Sequence, residues 1–302
     1  MSSLLQLFAD NLFPILLVAT IGYILQRTLK LNPRSISQTV FNVFTPALIL
    51  KLLISSDINA AEIGKMALFA TIIMLTVSVI SWILSKTLKL GQSLASAFIL
   101  SATFANAGNF GLSVNQFAFG DQALAFASLY YITSSIMINS AGVFIATVGE
   151  VQPRKALLGL LKVPAVYAIP VALLIRMGGF DLPLMIWRPI DLLGSAAVPC
   201  MLIILGMQIG HAGLPKQKGL IGLVVVLQLL VSPLIALFIA PFLNLSGTAY
   251  QAGILEAATP TAVLTSIIAL EFDVEPDFVS GAILVSTILS PLTITPLIAL
   301  LS

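Results

Sequence analysis

The chain is a succession of long apolar runs with almost no charge inside them, and that pattern decides what it can fold into. Ten such runs fall near residues 12–26, 36–54, 66–84, 94–119, 123–148, 157–175, 190–209, 220–242, 249–270 and 278–301. A helix needs roughly 20 apolar residues to cross a bilayer, and with connections about 28–30 residues serve one pass. The 302 residues therefore hold ten passes and leave no stretch for a soluble domain. Only 9% of the residues are charged and 59% are apolar, too few charges to cover the surface of a soluble protein of this length. A cytosolic enzyme, a secreted domain, a nucleic-acid binder and a disordered chain are all excluded. The expectation is an all-α polytopic membrane protein, with residues 1–302 forming a single membrane domain in the lipid bilayer.

Lys and Arg sort the connections between passes. Arg27, Lys30 and Arg34 lie in the first, Lys86 and Lys89 in the third. Arg154, Lys155 and Lys162 lie in the fifth, Lys216 and Lys218 in the seventh. Those alternate connections hold ten of the 14 basic residues, so the odd-numbered ones are expected on the cytoplasmic side and both termini outside. The ninth connection carries Glu271, Asp273, Glu275 and Asp277 and no base, but acidic residues weigh little in orientation.

The two halves resemble each other. Pro46 in the second pass and Pro199 in the seventh are mid-helix prolines, candidate kinks, 153 positions apart. Pro14 and Pro164 are 150 apart, and Ile99-Leu100 and Ile254-Leu255 are 155 apart. Chance matching of apolar segments is the alternative. With five passes in each half, the second half (about 151–302) would insert upside down relative to the first (about 1–150). Inverted repeats of this kind place a substrate site at the midplane where they meet.

Polar residues gather at two places that the repeat brings into correspondence. The fourth pass carries Thr103, Asn106, Gly108, Asn109, Gly111, Ser113, Asn115 and Gln116. Asn and Gly disfavour helix interiors, and irregular backbone at membrane depth survives only where protein or water satisfies it. A break near Ala107–Gly108 is one reading; a continuous helix packed through small residues is the other. The ninth pass carries Glu256, Thr259, Pro260, Thr261, Thr265 and Ser266. Pro260 removes a backbone donor and disfavours helical geometry at Thr259. Two broken helices would present two half-helix N-termini, each with free N–H groups and partial positive charge, a setting for an anion such as a carboxylate. Asn106, Gly108, Asn109, Thr259, Pro260 and Thr261 are the candidate substrate-binding residues.

Glu256 is the only acidic residue deep within a pass, which makes it a functional candidate by default. It could carry a proton, or share Na⁺ with Asn106 and Asn109. A neutral acid held by a structural hydrogen bond is the alternative. Thr103 is grouped with it as a candidate for ion coupling. Gln228, Asn139, Tyr130 and Tyr131 are secondary candidates. No cofactor is expected beyond Na⁺ or H⁺ as a coupling ion.

At these residues the sequence resembles a known family. Asn106-Ala-Gly-Asn109-Phe-Gly-Leu-Ser113, Phe41-Asn42-Val-Phe-Thr-Pro46-Ala-Leu, Glu256-Ala-Ala-Thr-Pro260-Thr-Ala-Val and Ser286-Thr-Ile-Leu-Ser290 are similar to the motifs of the auxin efflux carrier family, in its prokaryotic branch. The resemblance covers essentially the whole chain. It implies ten helices in two inverted five-helix repeats, with broken, crossing helices 4 and 9, as in bile-acid/sodium symporters. It implies a scaffold of helices 1, 2, 6 and 7, often dimeric, and a transport domain of helices 3–5 and 8–10 moving past it as an elevator. It also implies residence in the plasma (inner) membrane. Plant PIN-type members export auxin, and bacterial relatives are linked to malate and malonate. This chain departs from the plant pattern in three ways. Ala107-Gly108 stands between the asparagines where a proline is expected. Glu256 stands where a glutamine is expected. The connection near residues 149–157 is short. These departures point away from auxin and from uncoupled transport.

A secondary carrier of small organic anions is thus the leading expectation, with an uncoupled voltage-driven uniporter or a non-transporting membrane sensor as alternatives. An intramembrane enzyme would need paired histidines, paired aspartates or a serine with a base. The chain has one histidine, His211, and no aspartate clearly inside a pass, so no enzyme is expected. No Gly-rich Lys-Ser/Thr nucleotide loop is present.

Overall fold

A chain this apolar must satisfy its backbone hydrogen bonds internally, and among the described residues it does so almost entirely as helix. The computed structural model describes residues 3–31, 33–147, 163–211 and 217–302. Arg154, Lys155, Lys162 and Lys216, which carry part of the orientation argument, lie outside the described residues, as does the connection near 149–157.

In chain order the helices are α1 (Leu4–Leu29), α2 (Pro33–Ser55), α3 (Ala60–Thr87), α4 (Gln92–Thr103), α5 (Ala107–Ala146), α6 (Pro164–Met177), α7 (Leu184–His211), α8 (Lys218–Leu243), α9 (Gly247–Ala257), α10 (Leu264–Glu271) and α11 (Pro276–Leu301). Seven are long and apolar enough to cross a membrane: α1, α2, α3, α5, α7, α8 and α11. The helices α4, α9 and α10 are short because they are halves of interrupted runs. α5 joins the fourth and fifth apolar runs, and its backbone leaves helical geometry only at Gly120, at φ 78 and ψ −168. That conformation suits a residue without Cβ.

Sequence explains the local details. Asn59 caps α3: its side chain accepts from the Glu62 amide at 3.0 Å, while Glu62 accepts from the Asn59 amide at 2.9 Å. Three prolines follow wide π-helical turns: Phe8–Leu12 before Pro14, Val40–Phe44 before Pro46 and Leu227–Val231 before Pro233. A proline ring clashes with the carbonyl four residues back, and a widened turn relieves that clash without ending the helix. Pro46 and Pro199 are therefore accommodated differently. Pro46 follows a widened turn, whereas Pro199 lies within the helix Leu184–His211.

Helices α1, α2, α6 and α7 pack on one another. At the α1–α7 contact the backbones touch. A Cβ at Gly206 would lie 1.7 Å from the Ala19 carbonyl oxygen, and one at Gly22 would lie 2.0 Å from that of Ile203. Close approach through small residues is the main source of helix attachment in lipid. Lys51 of α2 reaches across to α7, pairing with Asp191 at 2.6 Å and donating to Ser195 Oγ at 2.8 Å. Because the obstruction at Gly206 is backbone and cannot rotate away, Gly206→Leu should destabilise the protein by about 3 kcal/mol. A thermal melt in lipid discs matching the parent would refute this packing account. A second body is built from α3, α4, α5, α8, α9, α10 and α11, and α5 also contacts α1, α2 and α7.

Candidate functional site

The fourth and ninth apolar runs both break, and their breaks meet. α4 ends at Thr103, and Phe104 is extended at φ −100, ψ 113. α9 ends at Ala257, and the helix resumes at Leu264. The two irregular segments pair as a miniature antiparallel bridge between Ala105 and Thr261. The Asn106 amide donates to the Pro260 carbonyl at 2.6 Å, and the Ala262 amide donates to the Phe104 carbonyl at 2.7 Å. Each break thus supplies what the other lacks, which is how non-helical backbone endures away from water. Pro260 fits this role: it has no N–H to strand, and its carbonyl is the acceptor the crossing needs.

Side chains fasten the crossing. Thr261 Oγ1 donates to the Ser101 carbonyl at 2.9 Å, and the Thr261 amide donates to Ser286 Oγ at 3.1 Å. Thr259 Oγ1 donates to the Glu256 carbonyl at 2.8 Å, and Gln228 Nε2 donates to the Thr259 carbonyl at 3.2 Å. The sequence reading centres the first break at Ala107–Gly108, but the non-helical residues are Phe104–Asn106, and Ala107–Leu112 already winds as a wide π turn. The glycines serve contact here. A Cβ at Gly108 would meet Tyr131 Cε2 at 2.7 Å, and one at Gly111 would meet Glu256 Oε2 at 2.2 Å.

A cavity of about 80 Å³ opens beside the crossing. Its wall includes Asn106 through Asn109 at the start of α5, and Ala262 through Leu264 at the start of α10. Both resumed helices therefore turn their N-termini toward one space. Tyr131, Ser134 and Ser135 line it from further along α5, and Met201, Ile204 and Gln208 from α7. Asn109 Nδ2 donates to Gln208 Oε1 at 3.4 Å, joining the two bodies across it. Asn106 Nδ2 is buried and has no hydrogen-bond partner. An unpaired amide donor beside two helix N-termini is suited to an incoming oxygen anion.

The residues singled out from sequence thus separate into groups. Asn106, Gly108 and Asn109 line the cavity. Thr259, Pro260 and Thr261 do not; they hold the crossing behind it. Thr103 is buried beside the break, and its hydroxyl lacks a partner. Pro46 and Pro199 sit in α2 and α7 and do not line it. Glu256 is fully buried and does not line the cavity either. Its carboxyl group lies against Gly111, and Asn115 Nδ2 donates to its Oε1 at 3.0 Å. Glu256 makes no hydrogen bond to Asn106 or Asn109, with which it is considered for Na⁺, and it does not line the cavity that they line. No cluster of three or more His, Cys, Asp or Glu suited to a metal ion occurs among the described residues. Gln208 and the pairing role of Asn115 escape the sequence reading. The signal for Gln208 is a lone amide between Met207 and Ile209, near the end of an otherwise apolar run.

Comparison with known proteins agrees with a transport role. A family model described as membrane transport protein matches residues 7–298. An uncharacterized transporter of Methanothermobacter thermautotrophicus is 28% identical over 288 residues, 93% of this chain and 94% of that one. An uncharacterized transporter of Methanocaldococcus jannaschii is 22% identical over 297 residues, 94% of this chain and 96% of that one. A putative malonate transporter of Rhizobium meliloti is 27% identical over 214 residues, 67% of this chain and 65% of that one.

Proposed function

The chain belongs to the membrane transport protein family, the auxin efflux carrier family of the motifs above, and from that premise we propose that it is a secondary active carrier of small organic anions. The reading takes the ten apolar runs as ten passes in two inverted repeats, seated in the plasma (inner) membrane with both termini outside. Helices α1, α2, α6 and α7 act as the scaffold and as the contact of a homodimer. The body holding the crossing moves past them, carrying the anion from one side to the other.

One observation supports this reading above the others: two half-helix N-termini and the unpaired Asn106 amide face one small cavity. Helix N-termini and amide donors stabilise a carboxylate without a fixed countercharge, so the anion is held yet can leave. The cavity lies where the two bodies touch, at the Asn109–Gln208 bond, so relative motion would open and close it. Gradient coupling is assigned to Glu256, since an ionisable group this deep is costly unless used.

The test is uptake by proteoliposomes offered a panel of radiolabelled mono- and dicarboxylates under imposed Na⁺, H⁺ or voltage gradients. Malonate comes first, because a relative is named for it. Saturable uptake of at least one carboxylate, with counterflow, is the expected result. No uptake above protein-free liposomes for any of them would overturn the carrier reading.

A further inference from the structure

Glu256 and Asn115 are both wholly buried, at 0% exposure, and each keeps one oxygen without a partner: Glu256 Oε2 and Asn115 Oδ1. The orientation of the amide between them is fixed. Asn115 Nδ2 donates at 3.0 Å to Glu256 Oε1 and at 3.0 Å to the Gly111 carbonyl. Reversing the amide would set its oxygen against two other oxygens. The amide therefore offers hydrogen to the carboxyl group, whereas a hard metal cation such as Na⁺ needs oxygen ligands gathered around it.

Gly111 closes the remaining side. The position its Cβ would take lies 2.2 Å from Oε2 and 2.6 Å from Oε1, so the carboxyl group lies directly on backbone. Burying a carboxylate with a single hydrogen bond from a neutral amide is costly. One proton on Oε2 supplies the single donor missing here, and Asn115 Oδ1 is the acceptor still open.

The elements packed against α9 are α3, α5, α8 and α11. Their titratable groups are Glu62, Lys65 and Lys86 on α3, Asp121, Tyr130 and Tyr131 on α5, Lys218 on α8 and Asp277 on α11. Among these groups, Tyr130 is wholly buried and has an electrostatic interaction with Glu256. The group that bonds the carboxylate is an amide, not a cation.

We propose that Glu256 and Asn115, closed by Gly111, form a single-proton site that is not part of the cavity lining, and that the coupling ion is H⁺ rather than Na⁺. The last step rests on the carrier reading; the proton site does not. A short path joins the two places. The Gly111 amide donates to the Asn106 carbonyl at 2.9 Å, and the Asn106 side chain lines the cavity. The same turn of α5 thus touches the proton site at one end and the anion site at the other.

Infrared spectroscopy of the protein in lipid discs tests the site without any transport. At neutral pH the spectrum should contain the carbonyl stretch of a protonated carboxylic acid. Glu256→Gln should remove it, Asn115→Leu should shift it, and exchange of K⁺ for Na⁺ at fixed pH should leave it in place. The proposal is overturned if the band is absent, survives Glu256→Gln, ignores Asn115→Leu, or disappears on adding Na⁺. A parallel arm uses the proteoliposomes, where accumulation should follow a pH gradient and not a Na⁺ gradient. Accumulation on Na⁺ alone would overturn the assignment of H⁺. If no carboxylate is transported at all, the carrier reading falls while the infrared band still decides the proton site.

Discussion

Glu256→Gln should abolish gradient-driven accumulation while leaving downhill exchange of the substrate intact. The substitution preserves the length and shape of the side chain and keeps an oxygen for Asn115 Nδ2, which now donates to Glu256 Oε1 at 3.0 Å. It leaves the crossing alone, because Thr259 bonds to the main-chain carbonyl of residue 256 and not to its side chain. What disappears is the group that can gain and lose a proton. With one proton carried per substrate, a gradient of one pH unit is worth about 1.4 kcal/mol, or a tenfold accumulation. The variant should lose all of it and bring internal and external substrate only to equality. Counterflow should continue, because the cavity beside Asn106 does not include residue 256. The measurement is uptake with voltage clamped at zero and a pH gradient imposed. A variant that still concentrates substrate under those conditions would make Glu256 a structural acid.

The architecture was open to sequence reading because lipid leaves few alternatives. Runs such as residues 66–84 and 220–242 must be helical to satisfy their backbone, and α3 and α8 span both. The two breaks were readable for a related reason. Pro260 cannot donate, and the density of Asn and Gly from Asn106 to Asn115 is out of place in a membrane helix. The exact place of the first break was not readable. It depends on which residue pairs with Pro260 across the crossing, a contact between positions more than 150 residues apart in sequence. The same limit hid the fate of Glu256. Its position four residues before Pro260 suggests a shared site with Asn106, and only the three-dimensional path of α5 shows Gly111 and Asn115 standing there instead. The glycines of the motif were legible as departures from helix, but their work is contact: Gly108 makes room for the Tyr131 ring and Gly111 for the Glu256 carboxyl group.

Asn106→Ala should weaken substrate binding roughly ten- to 100-fold, the loss of about 1.5–3 kcal/mol that accompanies removal of a hydrogen bond to a charged group. The residue acts in two ways that the substitution separates. Its main chain holds the crossing, with the amide on Pro260 and the carbonyl receiving the Gly111 amide, and alanine retains both. Its side-chain nitrogen is buried at the cavity wall without a partner, and alanine removes it. The protein should therefore stay folded and lose affinity. Asn139→Ala is the matched control: its side chain donates to the Ser135 carbonyl at 2.7 Å and does not line the cavity, so binding should hardly change. Half-saturation of uptake in the two variants, measured with malonate and with whichever carboxylate the panel selects, decides the matter. Equal affinity in both would mean that the Asn106 amide does not face the anion. The ligand would then have to be held by the helix N-termini alone.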